Sequence, residues 1–202
     1  GQGNQIPVNR LSAFEDLATE GAGNAAGQIA MMTGLDTNVD ISRLRFVPLK
    51  GVPRQVGDEL FVGVVFELKG LPSGYLVVLF DEASAKRVAS SMMPGGGTDE
   101  DGIGTMTEGA IKELGNIMTS GFIDGWANVL GTSIEHTPPN FVHDMGSAIM
   151  SPVVGKLGKQ QEYAFVIDST IEIDGRQGRC DIYALPNERE LARALSALPA
   201  RT

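Results

Sequence analysis

The chain holds one cysteine, Cys180, and two histidines, His136 and His143, among its 202 residues. An intrachain disulfide is thereby excluded, and no cysteine cluster spaced for zinc or iron-sulfur ligation exists. Such usage suits a reducing compartment, and the cytoplasm is the expected location. Basic residues are also scarce: 16 Lys and Arg stand against 25 Asp and Glu, a formal net charge of −9. No local Lys/Arg cluster offsets this field, which repels phosphate backbones and anionic lipid, so neither nucleic acid nor a membrane is an expected partner. Long apolar runs are missing too. Nowhere do about 18 apolar residues follow one another, and the polar stretch Gly1 to Arg10 has no cationic start leading into an apolar segment. Residues 1–10 are expected to be a disordered N-terminal segment or a tag remnant, lying outside the folded part.

What the chain does have is enough apolar residues to bury a core, 42% of the total, arranged in a pattern that occurs twice. Ser12 with Glu15 has the spacing of a capping box. Phe14, Leu17, Ile29 and Met32 then recur at helical intervals until Gly34, which predicts a long helix. Three runs rich in Val, Leu and Phe, namely 45–49, 60–68 and 75–80, are separated by Gly/Pro turns and read as strands. Asp81 then caps a short helix that Pro94 and Gly95–Gly97 end. The linker 94–104, with its acidic run Asp99, Glu100 and Asp101, reads as a solvated connection without a Ca²⁺-loop pattern.

The pattern restarts at Thr105 with Glu108, a second capping-box match, and a helix follows to Leu130 before Gly131. Sliding the chain by 97 places Asp16 on Glu113, Thr19 on Asn116 and Gly34 on Gly131 without a gap. The segment 138–158 accommodates eight extra residues and one extra helical stretch over Asp144–Ile149, which Pro152 would kink or end. Strands over 162–173 and 179–185 and a closing helix over 187–198 complete the second copy. Residues 11–198 are therefore expected to form one α+β domain of two half-repeats, 11–93 and 106–198. These would share one largely antiparallel, pseudo-two-fold sheet of about six strands, with two long helices and several shorter ones. Glycines inside both long helices (Gly21, Gly23 and Gly27; Gly115, Gly121 and Gly125) each cost about 1 kcal/mol of helix propensity, so close backbone approach is the expected compensation.

Few groups suggest chemistry. Gly21–Gly27 has the spacing G-x-G-x-x-x-G and follows no strand, so helix packing explains it better than a phosphate loop. His136 and His143, with Asp144 nearby, lack a third strong ligand and read as surface residues, with no metal expected. Trp126 reads as a core anchor. No G-x-S-x-G elbow occurs. Glu113 and Asn116, three apart on a helix, direct a carboxylate and a carboxamide from one face. A polar helix face gives the same spacing by chance, so context must carry the case.

That context is Ala110-Ile111-Lys112-Glu113-Leu114-Gly115-Asn116-Ile117-Met118-Thr119-Ser120-Gly121 together with Gly21-Ala22-Gly23-Asn24-Ala25-Ala26. Both segments closely resemble the CheC family of chemotaxis phosphatases, in which E-x-x-N-I-x-x-G recurs in tandem, and the likeness extends over about residues 11–198. The resemblance implies hydrolysis of the aspartyl phosphate of a CheY-type response regulator. Asn116 would orient the attacking water, and Glu113 would pair with the regulator's active-site lysine. It implies no cofactor of the chain's own, because the regulator brings its Mg²⁺. The receptor deamidase CheD is a second candidate partner, which a mainly adaptor role would make the principal one. In the first copy Asp16 and Thr19 stand where glutamate and asparagine are expected. Threonine cannot offer an amide at the same reach, so this second site is read as degenerate.

Overall fold

The glycine that ends each long helix does so for the reason its sequence suggests. Gly34 has φ 72° and Gly131 has φ 65°, left-handed backbone that a β-carbon disfavours. The computed structural model describes residues 11–93, 102–157 and 161–199. Residues 1–10 and most of the linker, including Asp99, Glu100 and Asp101, lie outside the described residues. Helix α1 (Leu11–Thr33) is followed by β1 (Thr37–Pro48), a 3-10 turn, α2 (Val52–Val56), β2 (Leu60–Gly70), β3 (Gly74–Asp81) and α3 (Glu82–Met92). After the linker come α4 (Thr105–Leu130), β4 (Ile134–His136), β5 (Asn140–Met145), α5 (Gly146–Lys156), β6 (Tyr163–Ile173), β7 (Arg176–Pro186) and α6 (Glu188–Ser196).

All seven strands join one antiparallel sheet in the order β1-β6-β7-β3-β2-β4, with β5 continuing along β2 beyond β4. Exchanging β1, β2 and β3 for β5, β6 and β7 maps that order onto its own reverse. The axis passes between β3 and β7, where Val77 faces Tyr183 and Val78 faces Ile182. The first strand of each copy pairs with the second strand of the other: β1 lies along β6, and β4 and β5 lie along β2. Each half therefore completes its ladder only against the other, which is why the two apolar faces merge into one core.

On one face of the sheet α1, α4, α3 and α6 bury the main cluster, including Phe66, Phe80, Phe122, Ile167 and Ile182. On the other, α2 and α5 cover Val77, Leu79, Val166 and Tyr183 with Val52, Ile149 and Val153. Beyond that cover the second face turns polar. Asp168 accepts from Arg43 Nε and from Arg45 Nε and Nη2, each at 2.8 Å. Burial alone would raise its carboxyl, but these bonds and charges outweigh burial and hold it below the ordinary carboxylate range. Its cross-strand neighbour Asp181 pairs with the largely exposed Arg179, at 3.2 Å, and among the described residues its buried Oδ1 has no hydrogen-bond partner. Burial pushes this carboxyl up to about 6, with the nearby Asp168 charge adding and Arg179 opposing.

Several sequence expectations change. Thr105 is the first helical residue and Gly104 takes the N-cap without a side-chain bond, while Ser12 lies inside α1, so neither capping box forms as read. Asp81 and Asn187 do cap, accepting from the backbone N–H of Ser84 and of Glu190. The described residues form seven strands where about six were expected, because 134–136 and 140–145 pair with β2. Helix α5 starts at Gly146, after the stretch's expected start at Asp144, and runs past Pro152 to Lys156. The helix glycines divide. A Cβ on Gly121 would lie 2.5 Å from Ala25 Cα, one on Gly125 3.0 Å from the Glu20 backbone, and one on Gly21 2.4 Å from the Phe122 ring. These three let α1 and α4 touch, whereas Gly23 and Gly27 have nothing within 4 Å. Trp126 is buried at the same crossing, its indole Nε1–H donating to Leu17 O at 3.0 Å.

Candidate active site

Burial takes most of the circumference of α4. Ile111, Leu114 and Met118 enter the main core. Gly115 rests on β2, where an added Cβ would come 2.9 Å from Val64 Cγ2, and Gly121 and Gly125 meet α1. From Gly109 to Asp124 the side left toward solvent carries Gly109, Glu113, Asn116, Ser120 and Asp124 at intervals of three and four, with Ala110 and Lys112 half-buried beside them. The glycine between Glu113 and Asn116 thus seats the helix on the sheet at the turn that presents both polar groups.

Glu113 is exposed and Asn116 half-buried. Among the described residues neither side chain has a hydrogen-bond or ion-pair partner. They open, with Lys112, onto a cleft of about 480 Å³ whose other lining is His136, Thr137, Pro138 and Pro139. That wall is built where the pairing with β2 is interrupted. The β4 ladder with β2 stops at His136 opposite Leu68 and resumes in β5 with Asn140 opposite Val65. Two prolines, with fixed φ and no N–H to donate, fill the gap. Thr137 ties the segment down: its N–H donates to Glu67 O at 3.0 Å, and its Oγ1 accepts from the Glu67 N–H at 2.9 Å.

The sequence reading missed His136. Expected on the surface, it is half-buried in this wall, with Nε2 2.8 Å from Ser120 Oγ and Nδ1 2.7 Å from Thr137 O. Its partner is 16 residues away, and only the pairing of β4 with β2 brings the two together. His143 is exposed and hydrogen-bonds Glu82 at 2.8 Å. Among the described residues no group of three or more His, Cys, Asp or Glu side chains is placed to hold a metal ion. Asp16 is half-buried and Thr19 exposed on α1, one helix away from the cleft. Cys180 is fully buried, and burial raises its thiol well above the usual range, which leaves it unreactive at neutral pH.

A carboxylate and a carboxamide, both unpaired and both on an open cleft, can engage a cation and orient a water molecule without forming a covalent intermediate. Fold and cleft together define a pseudo-two-fold antiparallel sheet flanked by helices, with a polar cleft beside one long helix. Residues 106–143, which span α4 and the wall, match the CheC-like family. Over 182 residues the chain is 37% identical to a Halobacterium salinarum protein provisionally named CheY-P phosphatase CheC1, covering 90% of this chain and 92% of that one. The chain belongs to the CheC-like family. It is also 19% identical to the CheY-P phosphatase CheC of Bacillus subtilis, over 98% of this chain and 97% of that protein. Among solved structures, FliY of Thermotoga maritima superposes with a TM-score of 0.76 at 18% identity, covering 95% of this chain and 98% of that one, a likeness of fold. No helix of the described residues is long and apolar enough to cross a membrane.

Proposed function

We propose that this chain hydrolyses the aspartyl phosphate of a CheY-type response regulator in the cytoplasm, with Glu113 and Asn116 as its acting groups. The observation that carries the reading is the pair itself. The two side chains share one helix face, have no partner among the described residues, and border an open cleft. Phosphoryl transfer depends mainly on positioning and charge stabilisation, and the regulator brings its own Mg²⁺ and lysine to the acyl phosphate. The phosphatase then has to add only a positioned water and a docking contact. The Asn116 carboxamide can accept from that water and donate to a phosphoryl oxygen, whereas a carboxylate in its place would be repelled. Glu113, exposed at the rim, pairs with the regulator's lysine and sets the docking register.

The test is the decay of acyl phosphate on Halobacterium salinarum CheY, loaded with a small-molecule phosphodonor, in the presence of wild type or Asn116→Ala. Wild type is expected to speed the decay, and Asn116→Ala to lose most of the acceleration, on the order of 100-fold for a misplaced or missing water-positioning group. Equal acceleration by both proteins would remove Asn116 from the mechanism. An adaptor acting on CheD would leave the phosphate's lifetime unchanged by either.

A further inference from the structure

Among the described residues the Asn116 side chain has no hydrogen-bond partner to hold it, so its place in the cleft is set by where α4 sits. One turn further along the same stripe, Ser120 reaches the opposite wall at His136. The direction of each bond follows from the partners. A backbone carbonyl only accepts, so His136 Nδ1 carries the proton and donates it to Thr137 O at 2.7 Å. In the neutral ring Nε2 is then the acceptor, and the Ser120 hydroxyl donates to it at 2.8 Å. The imidazole is held edge to face against Phe66, with centroids 5.1 Å apart and the planes at 83°. Thr137, which fixes the tautomer, is itself doubly bonded to Glu67 of β2. An unbroken path therefore runs from the sheet through Thr137 and His136 to Ser120, and so to the turn of α4 that presents Asn116. Serine and histidine at this distance also suit nucleophilic catalysis. Ser120, however, lies in mid-helix, where neighbouring backbone N–H groups are engaged in the helix and none is left to stabilise an oxyanion.

We infer that Ser120 and His136 are positioning residues, a clasp between α4 and the cleft wall that fixes the azimuth of α4 and thereby the reach of Asn116 to the phosphoryl group. The inference rests on the phosphatase reading above. A shift of about 1 Å in a positioning group can cost around 100-fold in rate, so a clasp has leverage that its single hydrogen bond would not suggest. In first-copy positions the clasp is absent: a displacement of 97 puts Gly23 at Ser120 and Val39 at His136.

Steady-state kinetics on the same phosphorylated CheY test this with Ser120→Ala, His136→Ala, the double variant, His136→Gln and Asn116→Ala. Ser120→Ala and His136→Ala are each expected to lower kcat about ten-fold while KM stays within about two-fold, since docking through Glu113 is untouched. The double variant should be no worse than either single, because both remove one interaction. His136→Gln, which returns an acceptor near the place of Nε2, should recover most of kcat. A merely structural role would not give that rescue or spare KM. If Ser120→Ala keeps its kcat within about two-fold of wild type while Asn116→Ala loses activity, the clasp is refuted and the phosphatase reading stands. Multiplying losses in the double variant, or no rescue by glutamine, would also overturn it. If Asn116→Ala matches wild type, both inferences fall together.

Discussion

Replacing Gly121 by alanine should destabilise the fold, while the same change at Gly23 or Gly27 should stabilise it, although all three are glycines inside long helices. In the helix alone, each change gains about 0.5–1 kcal/mol, the propensity difference between glycine and alanine. Position then decides the sign. A methyl on Gly121 would sit 2.5 Å from Ala25 Cα and 2.6 Å from Ala25 N, against 3.4–4 Å for ordinary contact. The deficit is roughly 1 Å, and it is against backbone, so no side-chain rotation relieves it. The helices must separate where they cross, which as overpacking costs about 1–3 kcal/mol or more. The net expectation for Gly121→Ala is a loss of about 1–2 kcal/mol. Gly23 and Gly27 meet nothing within 4 Å and keep the whole gain. Urea unfolding followed by circular dichroism measures this as opposite shifts of the midpoint at constant slope. A Gly121→Ala protein as stable as Gly23→Ala would refute the packing argument.

Two further outcomes follow from charge. Asp181 binds its proton more tightly folded than unfolded, so the native state holds the extra proton between about pH 4 and 6 and stability falls as pH rises through that window. The effect saturates at roughly 3 kcal/mol above it. Asp168, with its pKa lowered, acts in the opposite sense and only under more acid conditions. Asp181→Asn should therefore remove the slope and raise the melting temperature at pH 8, losing only a largely exposed contact with Arg179. A lower melting temperature there would contradict the assignment. At the cleft, Glu113→Gln should raise KM for the phosphorylated regulator about ten-fold and change kcat little, since on the proposed mechanism it removes one charge-assisted docking contact. A loss confined to kcat would move Glu113 from docking to chemistry.

How far the sequence could be read depended on whether the cause of each feature was local. The cap at Asp81, the stops at Gly34 and Gly131 and the apolar strands β2, β3, β6 and β7 each depend on residues within a few positions, and they stand where expected. Strand β1 starts at Thr37, well before the run at 45–49, because its first half is a sheet edge where polar residues alternate with Val39 and Ile41. β4 and β5 were hidden for another reason. Ile134–His136 is three residues long and Pro138–Pro139 reads as a turn, so only β2 makes strands of them. The same long-range pairing creates the cleft wall. The Glu113/Asn116 stripe was legible from helical spacing and the family's motif, while His136 was not, since its partner is chosen by the sheet.

The two copies then differ by more than one side chain, which changes what repair of the first should achieve. Both post-helix strands start three residues after the terminating glycine, β1 at Thr37 and β4 at Ile134. β1 continues to Pro48 with a single irregularity between Ile41 and Arg43, whereas its counterpart breaks at Thr137–Pro139. By the displacement of 97, Val39, Asp40, Ile41 and Ser42 occupy the places of His136, Thr137, Pro138 and Pro139. Thr19→Asn therefore restores an amide without a proline wall opposite it and without a clasp to hold α1 in register. In an Asn116→Ala background, which the proposed mechanism leaves with a silent second copy, Thr19→Asn should return less than about a tenth of wild-type phosphate hydrolysis, even combined with Asp16→Glu. Recovery to near the wild-type rate would show that the motif alone suffices, and that the wall and the His136–Ser120 bond are incidental to catalysis. The expected failure would locate the asymmetry in the strand that follows each helix as much as in the helix itself.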